Sequence, residues 1–333
     1  WAKQQGGYAG YAHSASGLEV HPQNAARRLL AALDTNQDSL LVPAEAARGL
    51  LPEKFESIDS DRDGALNEAE LMASHDRVSD QLPNLAVPEM NGVGAMEICV
   101  STAAGVCDFI SAMDTPRIAE WNMWYHILNC GFPLKVSGET DFPCMSGDRV
   151  GQGRIYVQLG KVKRIDFGAW CEGLAKGRSY VSDGFAHALE YTVNGVAPGF
   201  GDVRLAQPGT ATIKAKVAFA AETPLTVAQG LQTPPGGKRW MGDTVNLHAP
   251  PSKETVPGGT RLIEIVVNGR PAASKEVPAD GQIHELAFEV RIERSSWIAL
   301  RHFPQLHTNP VNVLLAHSGA SRPSSNSGAR DIG

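Results

Sequence analysis

Two short stretches carry oxygen-bearing side chains at a spacing that could hold a metal ion. One reads LDTNQDSLLVPAE over Leu33–Glu45, and the other IDSDRDGALNEAE over Ile58–Glu70. A twelve-residue loop around a hard cation such as Ca2+ needs oxygens at positions 1, 3, 5, 7, 9 and 12. Position 7 gives a backbone carbonyl, position 12 a two-oxygen glutamate, and position 6 favours glycine because the chain turns sharply there. In the second stretch Asp59, Asp61, Asp63, the Ala65 carbonyl, Asn67 and Glu70 fill every position, and Gly64 stands at the turn. In the first, Asp34, Asn36, Asp38, the Leu40 carbonyl and Glu45 fill positions 1, 3, 5, 7 and 12. Ser39 occupies the turn, at a cost of about 1 kcal/mol for a strained backbone. Val42 at position 9 offers no side-chain oxygen. With three carboxylates against four, the first loop is expected to bind its ion more weakly.

Such loops need helices on both sides and a strand between them. Leu30 and Leu33 precede Asp34 by four and one positions, and Phe55 and Ile58 precede Asp59 by the same offsets. Each pair falls on one face of an incoming helix, where it can pack the two halves together. Leu41 and Leu66 take the position at which paired loops bridge, and Pro43 suits the start of an exit helix. With these flanks, residues 22–78 resemble a paired EF-hand of the compact bacterial kind. The resemblance implies calcium ions as the partner of this segment.

The remainder has a different texture. From Gly94 to about Asp166, short apolar runs (AMEICV, PLKVSG, GRIYVQL) alternate with a helical segment, TPRIAEWNMWYHILNCG. That alternation predicts an α/β unit, discontinuous over 1–21 and 79–166. Residues 167–316 alternate strictly between apolar and polar, with turn signals at Asn194-Gly195 and Asn268-Gly269. They are expected to form an antiparallel β-sandwich. The polar tail, 317–333, is expected to lack a packed structure.

The 333 residues suffice for two or three domains, and the formal charge is −6 with acids concentrated in the two loops. No basic–aromatic stripe points to nucleic acid, and no Lys/Arg-rich amphipathic face points to a membrane surface. No apolar run approaches the roughly 20 residues of a spanning helix. No leader segment is visible, and the opening reads as mid-helix, as in a fragment or processed chain. The five cysteines, Cys99, Cys107, Cys130, Cys144 and Cys171, lack metal-binding spacing and read as buried free thiols.

A second resemblance covers about two thirds of the chain. The Gly/Ala-rich start running into YAHS resembles the third metal motif of the PHP superfamily of metal-dependent hydrolases, in which a barrel strand ends in a His ligand. The segments around TPRIAEWNMWYHILNCGFPLKVSGETDFPC, GRSYVSDG and SSWIALRHFPQLHTNPV are similar to the carbaryl-hydrolase branch of that superfamily. The fold so implied is a partial PHP-like barrel with the EF-hand pair inserted, followed by the sandwich. It implies His13, Glu97 and Asp141 as ligands of Zn2+ or Mn2+, with Glu97 near a strand end and His126 and Glu139 as supporting or catalytic groups. Such an ion lowers the pKa of bound water toward 7, for attack on an ester, carbamate or phosphoester. The chain departs from the family in containing no His-x-His pair, and Pro143 stands where the fourth motif has its His. Three readings follow: a calcium-binding protein built on a hydrolase remnant, an active hydrolase completed by a further N-terminal segment, and a non-catalytic β-sandwich scaffold. Calcium loops and the family analogy favour a periplasmic or extracellular setting.

Overall fold

The computed structural model describes residues 1–78, 81–83, 89–90, 97–113, 117–140, 150–151, 153–224 and 254–316. The expected tail, 317–333, lies outside them. The chain divides into two compact units, Ser14–Met96 and Trp1–His13 with Glu97–Gly333. The architecture is mixed α/β with several antiparallel sheets, and the described residues contain no closed barrel.

In the unit spanning Ser14–Met96, four helices follow one another: α1 (Pro22–Leu33), α2 (Pro43–Ala46), α3 (Phe55–Ile58) and α4 (Glu68–Val78). Prolines open α1 and α2, where the missing N–H would have had no intrahelical partner. Leu30, Leu33, Ile58 and Leu71 close on Leu41 and Leu66 in one apolar core, with Phe55 packed against it. Leu30, Leu33, Phe55 and Ile58 are the side chains whose spacing placed them on facing helix surfaces, and Leu71 joins them from α4. Leu18–Glu19 pairs antiparallel with Glu89–Met90.

The other unit contains a three-stranded parallel sheet, with Phe109–Ser111 between Gly10–Tyr11 and Lys135–Ser137. Gly10 is dictated by this pairing, since a Cβ there would lie 2.2 Å from the Phe109 ring and 2.4 Å from its carbonyl oxygen. Two helices belong to this layer, α5 (Glu97–Ala103) and α6 (Arg117–Asn129). The run AMEICV, expected as a strand, enters α5 instead. Ile98 and Thr102, four apart, are buried, while Glu97, Cys99, Val100 and Ala103 are exposed, and that is the period of a one-faced helix. The helical segment before Gly131 forms α6, which is buried on nearly every side through Trp121, Trp124 and Tyr125.

Two larger sheets, one antiparallel and one antiparallel except for the parallel pair Val203–Leu205 and Val311–Leu315, lie in the same unit, with a two-stranded antiparallel sheet of Glu222–Pro224 and Thr255–Pro257. In one, Gly209–Phe219 is flanked by Ala186–Val193 and Ile283–Ile292. The other has eight strands, running from Arg270–Pro278 through Thr260–Val267, Ser296–His302, Leu306–Thr308 and Ser179–Ser182 to Arg154–Val157. It therefore takes in a strand from the segment expected to belong to the α/β layer. Inward side chains of both sheets, among them Ile213, Val217, Ile265 and Leu300, share one core. Asn268 and Gly269, with φ of 50° and 89°, make the tight turn between two of these strands. Helix α7 (Phe167–Lys176) precedes Ser179–Ser182.

A buried polar chain ties α6 to the eight-stranded sheet. The Tyr125 hydroxyl lies 2.6 Å from His307 Nε2, and Arg301 Nη1 donates to the same hydroxyl at 3.1 Å. Arg301 Nε donates to Glu264 Oε2 at 2.7 Å. His307 Nδ1 faces the Thr308 carbonyl at 2.7 Å, which places the proton on that nitrogen and leaves Nε2 to accept from Tyr125. The described cysteines are free, but not buried as expected: Cys99 and Cys130 are exposed, and Cys107 and Cys171 half-buried. Cys99 lies on the outer face of α5 and Cys130 just past the end of α6, beyond the packed layers; Cys144 is outside the described residues.

Burial depresses the His307 imidazole from 6.5 to about 3, and the Arg301 charge adds to the effect. Between those values the unfolded chain binds one proton more than the folded chain. Stability is therefore fully present above pH 6.5 and falls as pH drops toward 3. The contribution of His307 is about 1.4 kcal/mol per pH unit. Urea unfolding across this range should show a slope shallower by that amount in His307→Gln.

Candidate metal centre

Each acidic loop begins where a helix releases the chain. Asp34 and Asp59 still donate their N–H groups to Leu30 and Phe55 at 2.9 Å, but their ψ values of 99° and 82° leave the helix. Each loop then takes a positive φ at the same two positions: Gln37 and Ser39 at 62° and 67°, Arg62 and Gly64 at 61° and 87°. Nothing lies within 4 Å of a Cβ built on Gly64, so backbone conformation alone calls for glycine there. Ser39 adopts the same left-handed state with a side chain.

The acids fold inward onto the loop amides. In the first loop, Gln37 and Ser39 donate to Asp34 at 2.7 and 2.8 Å, Asp38 donates to Asn36 at 2.9 Å, and Leu40 donates to Asp38 at 2.9 Å. In the second, Gly64 donates to Asp59 Oδ2 at 3.2 Å, Asp63 to Asp61 Oδ1 at 3.2 Å, and Ala65 to Asp63 Oδ1 at 2.8 Å. One carboxylate oxygen of each second-loop aspartate is thereby held, and the other has no hydrogen-bond partner among the described residues. Asp59 Oδ1 is the sharpest case, because that atom is buried and unpartnered. Asp59, Asp61 and Asp63 each present an oxygen within 4.8 Å of the others.

The loops are joined by Leu41 and Leu66, both fully buried, which exchange N–H···O bonds of 2.9 and 3.0 Å. Glu45 and Glu70, at position 12, are each only 7% exposed. Glu45 Oε1 accepts the Thr35 N–H and hydroxyl at 2.9 and 2.7 Å. Glu70 Oε1 accepts the Ser60 N–H and hydroxyl at 2.8 and 3.0 Å. Glu70 Oε2 also accepts the Asn67 N–H at 3.2 Å while Asn67 Oδ1 accepts the Glu70 N–H at 3.0 Å, a reciprocal box that starts α4. The Thr35 hydroxyl and N–H hold the Glu45 carboxyl below its ordinary 4.5. Burial pushes Glu70 up, but the Asn67 and Ser60 donors outweigh it, so its carboxyl also lies below 4.5. Both glutamates are thus ionised at neutral pH. Thr35 and Ser60 were not singled out in the sequence, although a hydroxyl at position 2 of both loops was a visible signal.

The second set of predicted residues is less convergent. His13 is exposed, has φ 57°, and follows the strand Gly10–Tyr11, which is half-buried and only two residues long. Glu97 is exposed and opens α5 rather than standing near a strand end. His126 is half-buried on α6. Glu139 follows Lys135–Ser137, and its Oε1 accepts the Ser137 hydroxyl. Asp141 lies outside the described residues. Among the described residues, the group of three potential ligands within mutual reach is Asp59, Asp61 and Asp63, and His13, Glu97, His126 and Glu139 form no such group.

Comparison with protein-family models finds none that matches the chain, and comparison with curated proteins finds no match.

Relief of the left-handed strain makes Ser39→Gly stabilising by about 1 kcal/mol. Urea unfolding of the metal-free protein should show it, and Gly64→Ser should move the midpoint the opposite way.

Proposed function

We propose that the chain binds calcium through a paired EF-hand in residues 22–78, with loop 59–70 the tighter site. The observation that carries this reading is the buried, unpartnered Oδ1 of Asp59 beside the acids of Asp61 and Asp63. A buried carboxylate oxygen left without a donor is costly, and a cation supplies the missing charge. The ligands would be Asp59, Asp61, Asp63, the Ala65 carbonyl, Asn67 and Glu70, all oxygen and mostly anionic, which suits a hard divalent ion. Asp34, Asn36, Asp38, the Leu40 carbonyl and Glu45 would form the weaker site. Occupancy at a hundredfold excess over Kd adds about 2.7 kcal/mol to the folded state. Calcium is therefore expected to raise the melting temperature, and Asp59→Ala with Glu70→Ala to abolish most of the rise. Titration calorimetry without any calcium heat at millimolar concentration would sink the proposal.

A second reading has one observation in its favour. His13 and Glu139 both follow strands of the parallel sheet, at its carboxyl edge, where α/β folds place their ligands. On this reading the sheet is part of a PHP-like barrel and the two larger sheets form its β-sandwich companion. His13, with Asp141, would hold Zn2+ or Mn2+ for hydrolysis of an ester, carbamate or phosphoester. Turnover of a chromogenic ester or phosphodiester with added Mn2+, lost in His13→Ala, is the expected result. Equal turnover in the variant overturns it.

A further inference from the structure

The segment running from Arg154–Val157 into the first residue of α7 carries an alternation that a helical or strand period does not register. It reads Gly160, Lys161, Val162, Lys163, Arg164, Ile165, Asp166, Phe167, and every one of these residues is exposed. The apolar side chains are strongly so: Val162 at 52%, Ile165 at 72% and Phe167 at 75%. Phe167 also stacks on Trp170, with ring centroids 6.0 Å apart and planes 9° from parallel, which widens the apolar surface onto the first turn of α7. Single exposed apolar side chains are ordinary, but three large ones within six residues mark an interaction site.

The charges beside them are also unspent. Lys161, Lys163 and Arg164 make no ion pair with any described residue. The one acid of the segment, Asp166, accepts the Ala169 N–H at 2.6 Å as the N-cap of α7 and faces that helix's positive end. The chain as a whole carries −6, so this cationic, apolar segment runs against the overall charge.

We propose that the 160–167 segment binds an anionic phospholipid surface. Its cations match acidic headgroups, and Val162, Ile165 and Phe167 supply the apolar side chains that enter the interfacial region. Nucleic acid is the poorer match, because Val162 and Ile165 have no ring to stack on a base. No described helix is long and apolar enough to cross a membrane.

The test is co-sedimentation of the whole chain with vesicles of phosphatidylcholine alone and of phosphatidylcholine mixed with phosphatidylserine. A calcium chelator is present throughout, so that calcium cannot bridge the acidic loops to lipid. With three cations near the surface, binding to the anionic vesicles should be roughly a hundredfold tighter. It should weaken as salt is raised. Replacing Lys161, Lys163 and Arg164 together by Gln should remove the preference for anionic lipid. Ile165→Ser with Phe167→Ser should weaken binding about tenfold or more while the salt dependence persists. All five side chains are exposed, and thermal melts identify any variant whose fold is disturbed; Ile165→Ser alone then replaces the apolar double variant and Lys163→Gln with Arg164→Gln the triple. Equal binding to the two vesicle types overturns the proposal, as does unchanged binding by either variant. Retention on a nucleic-acid column without vesicle binding overturns it as well.

Discussion

Three carboxylates held within 4.8 Å of one another repel, and the unit spanning Ser14–Met96 is organised around keeping them there. Each pair of like charges at that range costs on the order of 1 kcal/mol even in water. The loop offsets part of this by aiming its own N–H groups at one oxygen of each aspartate. That arrangement requires left-handed backbone at two positions per loop, and it requires fixed ends. The Leu41–Leu66 bridge supplies one fixed point, and the core of Leu30, Leu33, Ile58 and Leu71 supplies the other. An apolar core on one side and unsatisfied carboxylate oxygens on the other leave a site organised for positive charge.

Much of this unit was legible because its information is local. The left-handed turns at Gly64 and Ser39, the Leu41–Leu66 bridge and the apolar pairs flanking each loop are all fixed by spacing within a dozen residues. The hairpin at Asn268-Gly269 was legible for the same reason. Glu97 was misplaced because AMEICV has the composition of a strand, and the deciding period appears only when Thr102 is counted with Ile98. The Tyr125–His307–Arg301–Glu264 chain joins residues up to 182 positions apart, and no window along the sequence contains it. Lys161–Phe167 escaped notice because its cations and apolar side chains follow neither repeat, and only exposure separates it from an ordinary strand connection.

The aromatic polar groups of α6 are closed upon their neighbours: Trp121 and Trp124 donate to the Ala112 and Leu134 carbonyls at 2.9 Å, and Tyr125 is held between His307 and Arg301. A network satisfied internally rigidifies its surroundings and asks nothing of solvent or ligand. In the first acidic loop the carboxylates are also satisfied by the loop's own donors, whereas in the second the buried Asp59 Oδ1 is left without a donor.

Glu70 gives this contrast a dynamic meaning. One of its oxygens holds Ser60 at the start of the loop, and the other holds Asn67 at the start of α4. A single carboxylate thus fastens two segments that would otherwise loosen separately. The loop cannot swing open without fraying the first turn of the helix, and the helix end cannot fray without releasing the loop. In the language of local unfolding, the two openings merge into one cooperative event with one free energy. An ion held by the proposed site would therefore also steady the helix end.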